Sequence, residues 1–325
     1  MVRILSIDGG GIRGIIPAIV LAEIEARTGK PVAQLFELIA GTSTGGILAV
    51  SLTTPGPAGG PKYAATQMVE LYEQQGPRIF DCPFWHRIES LDNLAHARYP
   101  CRGIEGALHD YLGEDARLKD ALTDILVTAY DTDSRMPFFY RSSRARQDPA
   151  YDWPARHVAQ ATAAAPTYFE PFHERGAGGD YSLLDGGVFA TNPAMCALAE
   201  VLADPQRALT DVLMISLGTG QLTKRYPYKQ VKGWGVVQWA QPLIDILLDG
   251  VAETVDYQMR QLLPGRYYRL TGELTEASDS MDDASAGNLA ALKDLARQIV
   301  RDHDAEIADL CRRLTTAPQA DGSHA

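Results

Sequence analysis

Cysteine is scarce. The chain has four in 325 residues, Cys82, Cys101, Cys196 and Cys311, and no two form a Cys-x-x-Cys pair. That spacing excludes a zinc ribbon and a disulfide framework and suits a reducing, cytoplasmic setting. Positive charge is also in deficit, with 30 Lys and Arg against 41 Asp and Glu and a net charge of −11. Such a chain is repelled by phosphate backbones and anionic bilayers, so nucleic acid is not an expected partner. Long hydrophobic runs are missing too. The longest charge-free stretch, 38–61, is broken by Gly, Thr and Pro, which excludes a membrane-spanning helix. At the N-terminus Asp8 arrives before a signal-peptide core could form. Internal repeats and low-complexity blocks are absent as well. A cytoplasmic protein with at most peripheral membrane contact is expected, and its 46% hydrophobic content places it among folded globular chains.

The order of elements indicates an α/β fold with a mostly parallel sheet. Residues 2–7 are a short apolar run ending at Asp8 and three glycines, the pattern of a buried strand entering a tight turn. Ile16, Ile19, Val20 and Ile24 recur at helical spacing over 15–28, and Gly29 and Pro31 stop the helix. Residues 35–40 read as a second strand, followed by a glycine turn and an apolar helix from about Ile47. Strand, helix, strand is a βαβ unit, which sets the two glycine turns side by side at the C-terminal edge of the sheet. Further strands are expected at 125–130, 137–141, 183–184, 212–217 and 267–270. Helices are expected at 157–164 and along one amphipathic run from Leu289 to Leu314. Residues 54–103 mix Pro, Gly and aromatics without a sustained period and read as an insertion or lid.

Three segments carry chemistry. Gly41-Thr42-Ser43-Thr44-Gly45 fits G-x-S-x-G, in which a serine sits on a strained strand-to-helix turn with its Oγ projecting from the sheet edge. Asp8-Gly9-Gly10-Gly11-Ile12-Arg13-Gly14 leaves backbone N–H groups free at a helix start, suited to a phosphate or a developing oxyanion. Gly9, Gly11 and Gly14 also satisfy G-x-G-x-x-G, but the ribose-binding acid expected at the end of the second strand is replaced by Ile39-Ala40-Gly41 and the serine turn. The third segment is Asp185-Gly186-Gly187. A serine needs a base. Past Asp185 the only histidines are His303, in a charged helical segment, and His324, which disfavours the chain order Ser, Asp, His. His86, His96, His109, His157 and His173 lie between Ser43 and Asp185 and read as surface or structural groups. Buried against the glycine turns, Asp185 would have a raised pKa and could take the serine proton directly; on local sequence alone a turn cap is the favoured reading.

Asp8 to Gly14, Gly41 to Gly45 and Asp185 to Gly187, in this order, resemble the patatin-like phospholipase family of serine acyl hydrolases. The resemblance extends to the residues 163–169, Asn192-Pro193 and 215–220. It implies a three-layer α/β/α fold with a nucleophile elbow flanked by Gly41 and Gly45, and a Ser-Asp dyad of Ser43 and Asp185 without histidine. It also implies an oxyanion loop in which Gly10 and Gly11 donate, Gly9 shapes the turn and Arg13 fixes it. Neither metal nor cofactor is implied, and Asp279, Asp282 and Asp283 lack the spacing of a calcium loop. An acyl hydrolase domain is expected over 1–301, followed over 302–325 by a helix end and a disordered tail. The implied substrate is a lipid or fatty-acyl ester, hydrolysed as by a phospholipase A or lysophospholipase. The same residues would serve acyl transfer or thioester hydrolysis on a soluble acyl carrier, and a non-hydrolytic nucleotide-binding module is a third alternative. Control by a small-molecule or protein activator has room in 54–103 and 221–325 but no motif.

Two apolar features bear on lipid. Trp234, Val236, Val237, Trp239, Leu243, Ile244 and Ile246 to Leu248 cover most of a helix, with Lys224, Arg225, Lys229 and Lys232 upstream. Packing of that wide face onto the sheet is favoured over an interfacial helix. Phe80, Phe84 and Trp85 are a second candidate, either a mouth for an acyl chain or a minor core. The net charge predicts better activity on neutral or zwitterionic interfaces than on anionic ones, unless a local basic patch intervenes.

Overall fold

A computed structural model of the chain describes residues 1–80, 99, 102–176 and 179–316. The strands are β1 (Val2–Ile7), β2 (Leu38–Thr42), β3 (Asp124–Asp131), β4 (Met136–Arg141), β5 (Phe172–Gly176), β6 (Gly179–Asp185), β7 (Val212–Leu217) and β8 (Tyr267–Leu270). They form one sheet, in the order β5-β6-β3-β2-β1-β7-β8 with β4 also on β3. From β8 to β3 all neighbours are parallel, whereas β4 and β6 run antiparallel to β3. The fold is therefore α/β with a mostly parallel, mixed sheet.

The period-two alternation of the central strands feeds two cores. Leu5 and Ile7 of β1, Ile39 of β2, and Leu213, Ile215 and Leu217 of β7 face a large core. That core is completed by helices Ile15–Thr28, Thr44–Thr53, Ala65–Ile79, Arg102–Leu112, Ala155–Thr162, Ala286–Asp302 and Asp304–Thr315. The intervening residues, among them Ile4, Leu38, Ala40, Val212 and Met214, face a smaller core closed by Ala194–Leu202 and by Met259 and Leu263 at the end of Val236–Leu262. The sheet is thus covered on both sides, giving the three-layer arrangement expected of buried parallel strands.

Register explains how the chain builds a site at one edge. β1 pairs Ile7 with Gly41 of β2 and with Leu217 of β7, so the turns after these three strands emerge together. β4 occupies one side of β3 from Leu126 to Asp131, which leaves β2 and β6 to share the other. β2 takes Asp124 to Thr128, and β6, running the opposite way, takes Ala129 to Asp131. Thr42 pairs with Thr128 and Asp185 with Ala129, so the C-terminal ends of β2 and β6 meet head to head.

Several expectations change. The amphipathic run 289–314 is two helices, Ala286–Asp302 and Asp304–Thr315, broken at His303 (φ −106°, ψ 21°). Both pack on Ile15–Thr28. Residues 54–103 do contain a regular element: in helix Ala65–Ile79, Ala65, Met68, Leu71 and Tyr72 are buried at helical spacing. Residues 81–98, with Phe84, Trp85, His86 and His96, and the expected tail at 317–325 lie outside the described residues. Phe80 itself packs against Tyr99 and Phe169, with ring centroids 5.6 and 6.2 Å away. β5 was not foreseen. Among the described residues no helix is long and apolar enough to cross a membrane.

Candidate active site

Ser43 links β2 to helix Thr44–Thr53 with φ 56° and ψ −124°. A side chain at positive φ is disfavoured, and such strain persists only where the surroundings over-determine it. Here Thr162 Oγ1 accepts the Ser43 N–H at 2.8 Å and donates to the Thr128 carbonyl at 2.7 Å, tying the turn to β3. Thr42 Oγ1 is 2.7 Å from Thr128 Oγ1 and donates to the Ala190 carbonyl at 2.6 Å. Gly41 lies on β2 and Gly45 in the first turn of the helix. A Cβ on Gly45 would fall 2.2 Å from the Ile7 carbonyl oxygen, so only glycine lets the helix sit this close to β1.

Asp185 ends β6 and is almost completely buried. Its Oδ1 accepts the Gly187 N–H at 2.7 Å. Burial pushes its pKa up to about 6, although the nearby Ser43 hydroxyl and the Gly187 N–H favour the ionised form. The structure therefore brings Ser43 and Asp185 to the wall of one cavity. It does not bring a histidine to them: none of the described histidines lines their cavity, and His157 is held 2.7 Å from Glu174 instead.

The glycine loop after β1 lies against this pair. A Cβ built on Gly9 would be 3.2 Å from Ser43 Cβ. Gly9 N–H donates to the Thr191 carbonyl at 2.9 Å, and Gly9 O accepts from Thr219 Oγ1 at 2.7 Å. The N–H groups of Gly10 and Gly11 make no hydrogen bond among the described residues. Gly11 has φ 59°, and a Cβ there would lie 2.2 Å from the Met281 carbonyl oxygen. That same carbonyl accepts the Ile12 N–H at 2.9 Å. Arg13 is buried, and its Nε donates to the Gly10 carbonyl at 3.2 Å, which braces the loop from inside. Two adjacent free donors beside a serine–carboxylate pair can receive negative charge that develops on a carbonyl oxygen bound at Ser43.

The loop has a second anchor that the sequence did not signal. Asp8 Oδ2 is 2.6 Å from Arg269 Nη2, with both side chains about 5% exposed or less, and Arg269 Nη1 donates to Ser216 Oγ at 2.8 Å. Burial raises the Asp8 pKa while the guanidinium opposes it. Thr162, Thr219 and Arg269 are residues that motif reading could not assign, because each acts by contact across the sheet edge. Thr219 does fall within the segment 215–220 that carried part of the resemblance.

Ser43, Asp185 and Gly9 to Arg13 open onto one cavity of about 560 Å³. Its walls are mostly apolar, with Ile47, Leu71, Phe80, Phe169, Leu247 and Leu248 among them, a shape suited to a chain-like hydrophobic group. Among the described residues no cluster of His, Cys, Asp and Glu could hold a metal ion.

The family model for patatin-like phospholipases matches residues 5–198. Patatin-like protein 2 of Arabidopsis thaliana is 31% identical over 339 residues, covering 93% of this chain and 83% of that protein. The protein named probable inactive patatin-3-Kuras 1, of Solanum tuberosum, is 30% identical over 332 residues, covering 93% of this chain and 87% of that protein. Among solved structures, VipD from Legionella pneumophila aligns with a TM-score of 0.41 and 14% identity, covering 93% of this chain and 67% of that one.

Proposed function

Because the chain belongs to the patatin-like phospholipase family, we propose that it is a serine lipid acyl hydrolase of phospholipase A or lysophospholipase type, with Ser43 as nucleophile and Asp185 as base. The observation that carries the reading is that Ser43, on its strained turn, and the buried Asp185 line one cavity beside the N–H groups of Gly10 and Gly11, which are unpaired among the described residues. A neutral hydroxyl is a weak nucleophile, and a carboxylate that titrates near 6 is a stronger base than one near 3.8 while still ionised at neutral pH.

Ser43 Oγ attacks the acyl carbonyl carbon as Asp185 takes its proton. The carbonyl oxygen becomes an oxyanion between the N–H groups of Gly10 and Gly11, each such donor commonly being worth about 3–4 kcal/mol. Collapse of the tetrahedral species expels the alcohol, which takes the proton from Asp185, and leaves an acyl-Ser43 ester. Water then attacks that ester, gives its proton to Asp185, and the fatty acid departs as Ser43 recovers its hydrogen. Arg13 holds the Gly10 carbonyl away from the developing charge, and the apolar cavity takes the acyl chain.

The test is covalent labelling with a fluorophosphonate, paired with a panel of phospholipid vesicles, monoacyl lipids, p-nitrophenyl esters and acyl thioesters at equal concentration. Labelling of Ser43, turnover of lipid esters, and loss of turnover in Ser43→Ala and Asp185→Asn are expected. A folded protein that neither labels nor hydrolyses any ester overturns the proposal. Exclusive thioester turnover would replace the lipid by a soluble acyl carrier, and retained activity in Asp185→Asn would return the base to a histidine.

A further inference from the structure

The helix that begins at Val236 was expected to bury its apolar face, and half of it does not. Ile244, Leu248, Ala252 and Met259 point inward, the first three lining the cavity and Met259 joining the smaller core. The opposite stripe is left in solvent: Val236 is 87% exposed, Leu247 57% and Leu243 47%, with Ile246 beside them. Val237 is 85% exposed, and Tyr228 just upstream is 75% exposed. At the same helix start Trp234 packs edge-on against Trp239 and Tyr226, with centroids 5.0 and 5.7 Å away.

Charge sets the patch apart from the rest of the chain. Between residues 212 and 244 there is no Asp or Glu, although the whole protein carries −11. Lys224, Arg225, Lys229 and Lys232 lie there, all exposed. Lys224 faces Asp245, while Arg225, Lys229 and Lys232 make no ion pair among the described residues. Leu247 belongs to both surfaces, since it is exposed and also lines the cavity that holds Ser43.

We propose that residues 224–247 are a membrane-docking face that seats the mouth of this cavity on a bilayer containing anionic lipid. A bilayer meets all three observations together: it takes the apolar stripe into its acyl boundary, pairs its headgroups with the basic flank, and presents substrate to the rim at Leu247. A second copy of the chain fits less well, because a two-fold contact through this patch would oppose like charges. The assignment rests on the reading of the cavity as an acyl site, but docking is measured without turnover.

Ser43→Ala protein is floated with vesicles of phosphatidylcholine alone and with vesicles in which a third of the lipid is phosphatidylglycerol. Strong binding to the anionic vesicles and weak binding to the neutral ones are expected, with the difference lost at 1 M salt, where the Debye length is about 3 Å. Lys229→Glu with Lys232→Glu should weaken anionic partitioning by at least about 10-fold. Val236→Asp with Val237→Asp should abolish it on both surfaces. Neither pair touches the cavity, so in the Ser43 protein both variants should keep wild-type hydrolysis of a soluble p-nitrophenyl ester, and thermal unfolding checks their folding independently. Equal binding to neutral and anionic vesicles, unchanged binding by either variant, or a dimer that Val236→Asp and Val237→Asp dissolve would overturn the docking proposal. Loss of ester hydrolysis in the unsubstituted chain would instead overturn the hydrolase reading and leave the docking result standing.

Discussion

Replacing Asp185 by Asn should destroy turnover and strengthen the fold. Burial raises this carboxyl from an ordinary 3.8 to about 6, so in neutral solution the folded protein holds an ionised group that the unfolded chain carries more comfortably. The folded state binds the extra proton between those two values. Stability therefore falls as pH rises through that window and stays lower above it, a penalty of about 3 kcal/mol at pH 7.5 and about 1 kcal/mol at pH 4.5. Asn has the same shape, keeps an oxygen to accept the Gly187 N–H that Oδ1 accepts now at 2.7 Å, and turns an NH2 group toward Ser43 Oγ. Asp185→Asn should thus gain up to about 3 kcal/mol at pH 7.5, roughly 4 °C in Tm for a chain of this length. Most of that gain should vanish at pH 4.5. Thermal and urea unfolding of both proteins at the two pH values measures it, because the groups common to both cancel in the difference. A variant no more stable than wild type at pH 7.5, or a gain that does not change with pH, would refute the assignment of a buried, raised carboxyl to this position.

Other expectations follow from the same geometry. If Asp185 must be ionised to accept the serine proton, kcat/KM on a soluble ester should rise about tenfold per pH unit below about 6 and level off above it; a profile flat from pH 4.5 to 8 would remove Asp185 as the base. Thr162→Val takes away both the acceptor of the Ser43 N–H and a donor to the Thr128 carbonyl. Leaving these groups unsatisfied should cost about 1–3 kcal/mol of stability and lower kcat by on the order of 10- to 100-fold with KM little changed, as read by urea unfolding and steady-state kinetics; an effect confined to KM would contradict it. Arg269→Met strands the Asp8 carboxylate in the interior and should destabilise by about 3–5 kcal/mol, while adding Asp8→Asn should recover much of the loss. Additive losses in the double-mutant cycle would mean the pair is not coupled.

Much of this was legible because short-range chemistry is written locally. Strand 2–7, helix 15–28 and the two glycine turns announce themselves by apolar runs and by glycines that no other residue can replace. What failed was whatever depended on a partner. Strand Phe172–Gly176 reads as polar because Glu174 is buried through its contact with His157, a satisfied charge that hydrophobic patterning counts as surface. The run 289–314 keeps its helical period across His303, so nothing in its apolar spacing reveals the break. The apolar width of 234–248 is plain in the sequence, whereas the absence of a neighbour over Val236, Leu243 and Leu247 is a property of the assembled sheet.

The same distinction accounts for how the proposed dyad would dispense with histidine. In a triad an imidazole takes the serine proton, and the carboxylate only orients the ring and stabilises the imidazolium. Here β3 carries β2 and β6 on one edge, so that Thr42 and Asp185 occupy consecutive positions, opposite Thr128 and Ala129, on strands that arrive from opposite directions. The residue after Thr42 is the strained Ser43, which sets the serine beside the carboxyl on the wall of one cavity. The head-to-head junction also buries that carboxyl, which raises its basicity toward the range a general base needs. Proximity and pKa shift thus have one structural cause. A substitution that lets β6 slip along β3, without touching Ser43 or Asp185, should separate the pair and lower the pKa together. Gly186→Ala is the sharpest case, since its Cβ would fall 2.1 Å from Thr128 Oγ1.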